Sequence, residues 1–185
     1  MLKEFLKKYR DRFLFSIRKQ IYDLIDENSE VVDIGCGDGE LLRILSPKIK
    51  YGLGIDKNKR EINFTRQLTE KAGIVNLEFK ITDAKKDLKE KFDYSILMFV
   101  LHSLDYDSQI RVLSNARKNS GEIIIVDIKS SRKNLLIHLE EILTGHYKQF
   151  KTYLESGGIE GLIDSKSLER FDTCKDYIGI WKVVI

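Results

Sequence analysis

Gly35, Gly37 and Gly39 alternate with Cys36 and Asp38, and Asp33 stands just ahead of the first glycine. Glycine permits positive φ and lacks the Cβ that keeps a ligand off the main chain, so the spacing suggests a small molecule lying against bare backbone. A dinucleotide-binding turn reads G-x-G-x-x-G, whereas here the third glycine arrives one residue early and Glu40 follows it. Asp33 and Asp38 put negative charge where a diphosphate needs donors and a positive helix end. A cationic or zwitterionic ligand tolerates them. Asp56, at the end of the next apolar run, is placed to accept hydrogen bonds from ribose hydroxyls and to reject a 2′-phosphate. Lys57 beside it could lie along an adenine plane.

These residues need strands to carry them. Val31, Val32 and Ile34 are β-branched residues of the kind a parallel strand buries on both faces, and Leu41, Leu42, Ile44 and Leu45 follow with helical spacing. A second strand is expected over 51–56, then a helix from about Asn58 to Lys71 that stops near Gly73. Leu77, Phe79 and Ile81 alternate with polar residues in the manner of an edge strand that ends at Asp83 and Ala84. Phe92 to Leu104 reads as a fourth strand and the loop leaving it. A helix over about 107–118 leads to a fifth strand at 121–127, and residues 171–177 and 178–185 read as a closing hairpin. Right-handed crossovers make the first five strands parallel and gather Gly35, Asp56, Asp83 and Met98 along one crevice.

Asp33-x-Gly35-x-Gly37-x-Gly39 resembles motif I of the class I S-adenosylmethionine-dependent methyltransferases. Phe92-Asp93 followed by Leu101-His102-Ser103-Leu104 resembles the L-H-x-L form of motif IV found in members that act on small molecules. The Asn-Pro-Pro-Tyr or Asp-Pro-Pro-Tyr clamp of enzymes that methylate exocyclic base amines or side-chain amides is absent, and Met98 and Phe99 stand in its place. The resemblance implies a Rossmann-like α/β fold. Its doubly wound, mostly parallel seven-stranded sheet would have the order 3-2-1-4-5-7-6, with the last strand antiparallel and helices on both faces. It also implies S-adenosyl-L-methionine as cofactor and S-adenosyl-L-homocysteine as product. The cofactor would be held by Asp33, Gly35, Cys36, Gly37, Asp56, Lys57 and Met98, with adenine at Asp83 and Ala84. An N-terminal helix ahead of motif I resembles the cofactor cover of small members, with Tyr9 or Phe13 as contacts.

Methyl transfer from a sulfonium requires the acceptor to be held close, water to be excluded and a proton to be removed where the acceptor demands it. His102, just past the fourth strand, is the expected catalytic base, because an imidazole near its ordinary pKa of about 6.5 accepts a proton at neutral pH. Tyr9, His146 and Tyr147 are expected acceptor contacts. Amines and thiols need no base at all.

The chain has 185 residues, 32 of them basic and 29 acidic, and a net charge of +3. That charge gives no bulk positive field of the kind that drives nonspecific nucleic-acid binding. The length suits one domain over 1–185, with 1–29 as the helical cover and 129–170 as a helical insert over the crevice. Cys36 and Cys174, far apart, suit a reducing compartment, and no metal-ligand spacing or signal peptide is visible, so a cytoplasmic protein without membrane association is expected. The leading reading is a small-molecule methyltransferase. An RNA or protein methyltransferase, kept open by Lys129, Arg132, Lys133, Lys148 and Lys151, and a noncatalytic cofactor-binding partner subunit are the alternatives.

Overall fold

The computed structural model describes residues 14–129, 138, 141–143 and 145–184. Residues 14–24 are helical (α1) and place Ile17 and Ile21 in the core, with Ile25 just beyond. Strand β1 (Glu30–Ile34) then enters the sheet, and Val31, Val32 and Ile34 are almost wholly buried. Alternation sends Val31 to one face and Val32 to the other, so this short run joins both halves of the core. Helix α2 (Glu40–Leu45) buries Leu41, Leu42 and Leu45. Strand β2 (Tyr51–Asp56) runs parallel to β1, with Asp33 opposite Gly54 and Ile34 opposite Ile55.

Helix α3 (Lys59–Lys71) starts where expected because the Asn58 side chain accepts the amides of Arg60 and Glu61, and Gly73 follows its end at φ +66°. Strand β3 (Leu77–Ile81) is one edge of the sheet. There Arg66 on α3 donates Nε at 3.0 Å and Nη2 at 2.5 Å to the Phe79 carbonyl. Strand β4 (Phe92–Met98) is followed by a short 3-10 turn, Leu101–Ser103. Helix α4 (Tyr106–Asn119) is capped by the Asp105 carboxylate on the Ser108 amide. Strand β5 (Ser120–Ile128) lies beside β4 with Met98 opposite Val126.

Residues 141–143 are helical, and α5 (Tyr147–Glu155) and α6 (Ile159–Leu162) follow. Strand β6 (Leu168–Asp172) and strand β7 (Ile178–Val184) close the sheet. The order is β3-β2-β1-β4-β5-β7-β6, with β7 antiparallel to both neighbours, as expected. Helices α1 to α3 contribute to the core on one face, and α4 to α6 to the core on the other. On the second face Trp181 is buried and donates Nε1 to Glu160 Oε1 at 2.9 Å.

The closing hairpin begins earlier than its sequence suggests. Strand β6 occupies 168–172, and residues 173–177 form the turn rather than the strand expected over 171–177. The Thr173 hydroxyl holds this turn: it accepts the Lys175 amide and shares its one hydrogen between the carbonyls of Lys175 and Ile178.

Candidate active site

The carboxyl ends of β1, β2 and β4 meet at the glycine turn. After β1 the amides of Gly35 and Cys36 both donate to the Ile55 carbonyl, at 2.8 and 3.1 Å, so the chain follows β2 a little further before bending away. The glycines are bare for different reasons. A Cβ on Gly35, whose φ is +79°, would lie 2.6 Å from Val100 Cγ2, and one on Gly39 would strike the Phe79 ring. A Cβ on Gly37 would meet no atom within 4 Å. Gly35 and Gly39 are therefore small so that the protein can pack, whereas Gly37 presents bare backbone to open space. Asp56 locks the turn, accepting the Gly37 amide on Oδ2 at 3.0 Å and the Asn58 amide on Oδ1 at 2.7 Å.

Charge is concentrated beneath this turn. Asp33 is 2% exposed, and its Oδ1 has no hydrogen-bond partner. Burial, reinforced by the negative charge of Asp56 and Asp38 and opposed by Arg18, pushes its carboxyl up to about 7. Arg18, on α1, is 8% exposed; its Nη1 pairs with Glu40 Oε2 at 2.8 Å, and its Nε has no partner. Each such orphan costs about 1 to 3 kcal/mol. An acceptor and a donor of opposite charge, both buried and both unmet, fit a zwitterion: an ammonium for Asp33 and a carboxylate for Arg18. The methionyl end of S-adenosylmethionine is such a group, and the open face of Gly37 leaves room against the backbone. The residues present therefore fit the cofactor that the sequence implies.

Arg18 was not among the residues singled out by sequence. Its signal lies in its place: next to Ile17, one turn before Ile21, on a stripe that faces the core. An arginine there has to find a buried partner.

Other expected residues occupy the same edge. Asp56 lies opposite Ile81 in the register, two residues ahead of Asp83. Asp83 accepts the Lys85 amide on Oδ1 at 2.9 Å, Lys85 Nζ is 3.7 Å from Oδ2, and the Ala84 carbonyl accepts Asn115 Nδ2 at 3.2 Å. Lys57 is exposed beside Asp56. Cys36 is buried, its thiol raised by burial and by Asp33 and Asp56, and its Sγ would lie 2.9 Å from a Cβ on Gly54. It fills space that Gly54 leaves. Met98 is half-buried against the core, and Phe99 beyond it takes φ +58° while its amide donates to the Val126 carbonyl at 2.8 Å. Tyr9 and Phe13, and Arg132 and Lys133 of the insert, lie outside the described residues.

His102 is not an open base. It is 6% exposed, its Nδ1 is 2.6 Å from Asp127 Oδ1, and its Nε2 is 3.5 Å from Glu141 Oε1. Burial pulls its pKa down, but the charge and hydrogen bond of Asp127, joined by those of Glu141, outweigh burial and hold the imidazolium to about 10. His146 and Tyr147 begin α5, which packs on the turn that carries His102. The His146 amide donates to the Glu141 carbonyl at 3.1 Å, and the Tyr147 ring lies 5.9 Å from that of His138. Among the described residues no helix is long and apolar enough to cross a membrane.

Residues 25–172 match a family described as a methyltransferase domain. An uncharacterized protein of Methanocaldococcus jannaschii is 26% identical over 178 residues, 91% of this chain, and the chain spans 65% of its length. Among solved structures, the N-methyltransferase NodS of Bradyrhizobium japonicum shares the fold with a TM-score of 0.65 and 18% identity, over 95% of this chain and 94% of that one. An rRNA methylase of Streptococcus thermophilus does so with a TM-score of 0.57 and 13% identity, over 91% and 94%.

Proposed function

The chain belongs to the family of methyltransferase domains, and on that premise we propose that it is an S-adenosylmethionine-dependent methyltransferase whose acceptor is a small molecule bearing its own lone pair, such as an amine or thiol. The carrying observation is the pair of unmet buried atoms, Asp33 Oδ1 and Arg18 Nε, together with the open backbone of Gly37. When bound, the cofactor supplies a methyl group on a sulfonium, already activated for in-line displacement. Asp33 then takes the ammonium and Arg18 the carboxylate, Asp56 accepts from the ribose hydroxyls, and Gly35, Cys36 and Gly37 form the floor. Asp83 and the Ala84 amide take the adenine edge, with Lys57 along its plane. Met98 and Phe99 present apolar surface at the end of β4, which keeps water from the reacting centre.

Because both His102 ring nitrogens face carboxylates, the imidazole holds a proton rather than accepting one. An acceptor with a free lone pair fits such a site, since no base is required to create one. Arg18 on α1 supports reading residues 1–29 as part of the cofactor cover within one domain. Lys129 is paired with Asp172 at 2.9 Å and Lys151 with Glu155 at 3.7 Å, which favours a small molecule over RNA. The deciding experiment is calorimetric titration with S-adenosylhomocysteine and with NAD. Binding of the first at about micromolar Kd, weakened in Arg18→Met, supports the proposal; binding of NAD in its place overturns it.

A further inference from the structure

Where residues 141–143 and α5 meet the carboxyl ends of β4 and β5 lies a cluster built around one buried carboxylate. Asp127, fully buried near the end of β5, receives the amides of Leu101 and His102 on Oδ2 at 3.1 and 3.2 Å, and the Ile128 amide on Oδ1 at 2.8 Å. Its Oδ1 also takes His102 Nδ1 at 2.6 Å. One carboxylate thus welds the turn after β4 to the end of β5. The opposite side of the imidazole meets Glu141, ahead of α5, and the Glu141 carbonyl in turn accepts the His146 amide at the start of α5. Around the ring stand Phe99, Phe150 and Tyr153, with centroids 6.1 to 6.4 Å away and inclined edge to face. The Tyr153 hydroxyl donates to the Ile128 carbonyl at 2.9 Å.

From this arrangement we infer that His102 is a positioning residue: the Asp127–His102–Glu141 joint seats residues 141–143 and α5 on the carboxyl ends of β4 and β5 and so fixes the acceptor wall that begins at His146 and Tyr147. Apolar packing alone is non-directional and lets a helix slide by a fraction of a turn with little penalty. A cation between two carboxylates, one on the sheet and one on the arriving segment, has a single geometry that satisfies all three. The assignment of an acceptor side rests on the proposed methyl transfer; the joint itself does not.

The test uses the full-length chain, Glu141→Gln and His102→Gln, with hydrogen exchange at each amide, titration with S-adenosylhomocysteine, and the ring nitrogen resonances of His102. The inference expects an imidazolium at pH 8 in the parent protein. Both variants should exchange the amides of 147–155 about tenfold faster, with β1, β2 and β4 unchanged and the Kd for S-adenosylhomocysteine within about twofold of the parent. A neutral His102 ring at pH 8, or unchanged exchange over 147–155 in Glu141→Gln, overturns it. Should His102→Gln fail to fold, Glu141→Gln still decides, because it leaves the Asp127–His102 pair in place. A parent protein that does not bind S-adenosylhomocysteine defeats the proposed function, while the exchange result still judges the joint.

Discussion

Asp56 Oδ2 accepts the Gly37 amide at 3.0 Å, so the acid expected to hold a ribose also braces the backbone expected to lie beneath the ligand. The other oxygen, on the Asn58 amide, leaves the carboxylate little freedom to turn. Asp56→Ala removes brace and acceptor together. Its affinity for S-adenosylhomocysteine should fall at least tenfold, about 1.4 kcal/mol, and Asp56→Asn, which keeps one acceptor oxygen, should lie between. Titration calorimetry checks both.

Gly35 and Gly37 should respond to alanine in opposite ways. At Gly35 the new methyl would press on Val100 Cγ2 in a left-handed backbone, so Gly35→Ala should lose about 2 to 3 kcal/mol of stability. At Gly37 nothing lies within 4 Å, and only the left-handed backbone penalty of about 1 kcal/mol applies, yet the methyl would occupy the space kept for ligand. Denaturant unfolding should single out the first variant. Ligand binding should single out the second.

Asp33 provides a proton to count. Its folded-state pKa, about 7 against an ordinary 3.8, means that its contribution to the stability of the free protein is complete below about pH 4 and is lost as pH rises through 7. An ammonium placed against Oδ1 favours the ionised form, so binding near pH 6 should release a proton, and affinity should rise with pH until it levels off above 7. Calorimetry in buffers of different ionisation enthalpy measures the release. Asp33→Asn should abolish it.

The raised pKa of His102 acts with the same sign. The imidazolium is faced by Asp127 from β5 and Glu141 from the insert, with the Tyr153 phenol from α5 nearby. The stabilisation is full below about pH 6.5 and is lost progressively as pH rises to about 10. Melting temperature should therefore fall progressively between about pH 6.5 and pH 10 in the parent and level off above that. In His102→Gln it should start lower and show a smaller drop over that interval.

The glycine turn, Asp56 and the strand order were legible because each follows from a short run: β-branched residues, then a turn, then a helical stripe. Asn58 likewise marked its helix. Arg18 and His102 were harder for a shared reason. The residue types could be read, but their states depend on partners distant in sequence, Glu40 and Asp33 for the first and Asp127 and Glu141 for the second. An isolated imidazole has an ordinary pKa, and only the fold supplies the carboxylates that raise that of His102. The start of β6 eluded sequence reading because a single hydroxyl, on Thr173, holds the turn that follows the strand.

Arg66 acts beyond the single molecule. By grasping the Phe79 carbonyl with two donors it occupies an acceptor on β3 at which a stranger's strand would otherwise begin to zip. Crowded or heated solutions are where such recruitment starts, so loss of this guanidinium should surface there as turbidity.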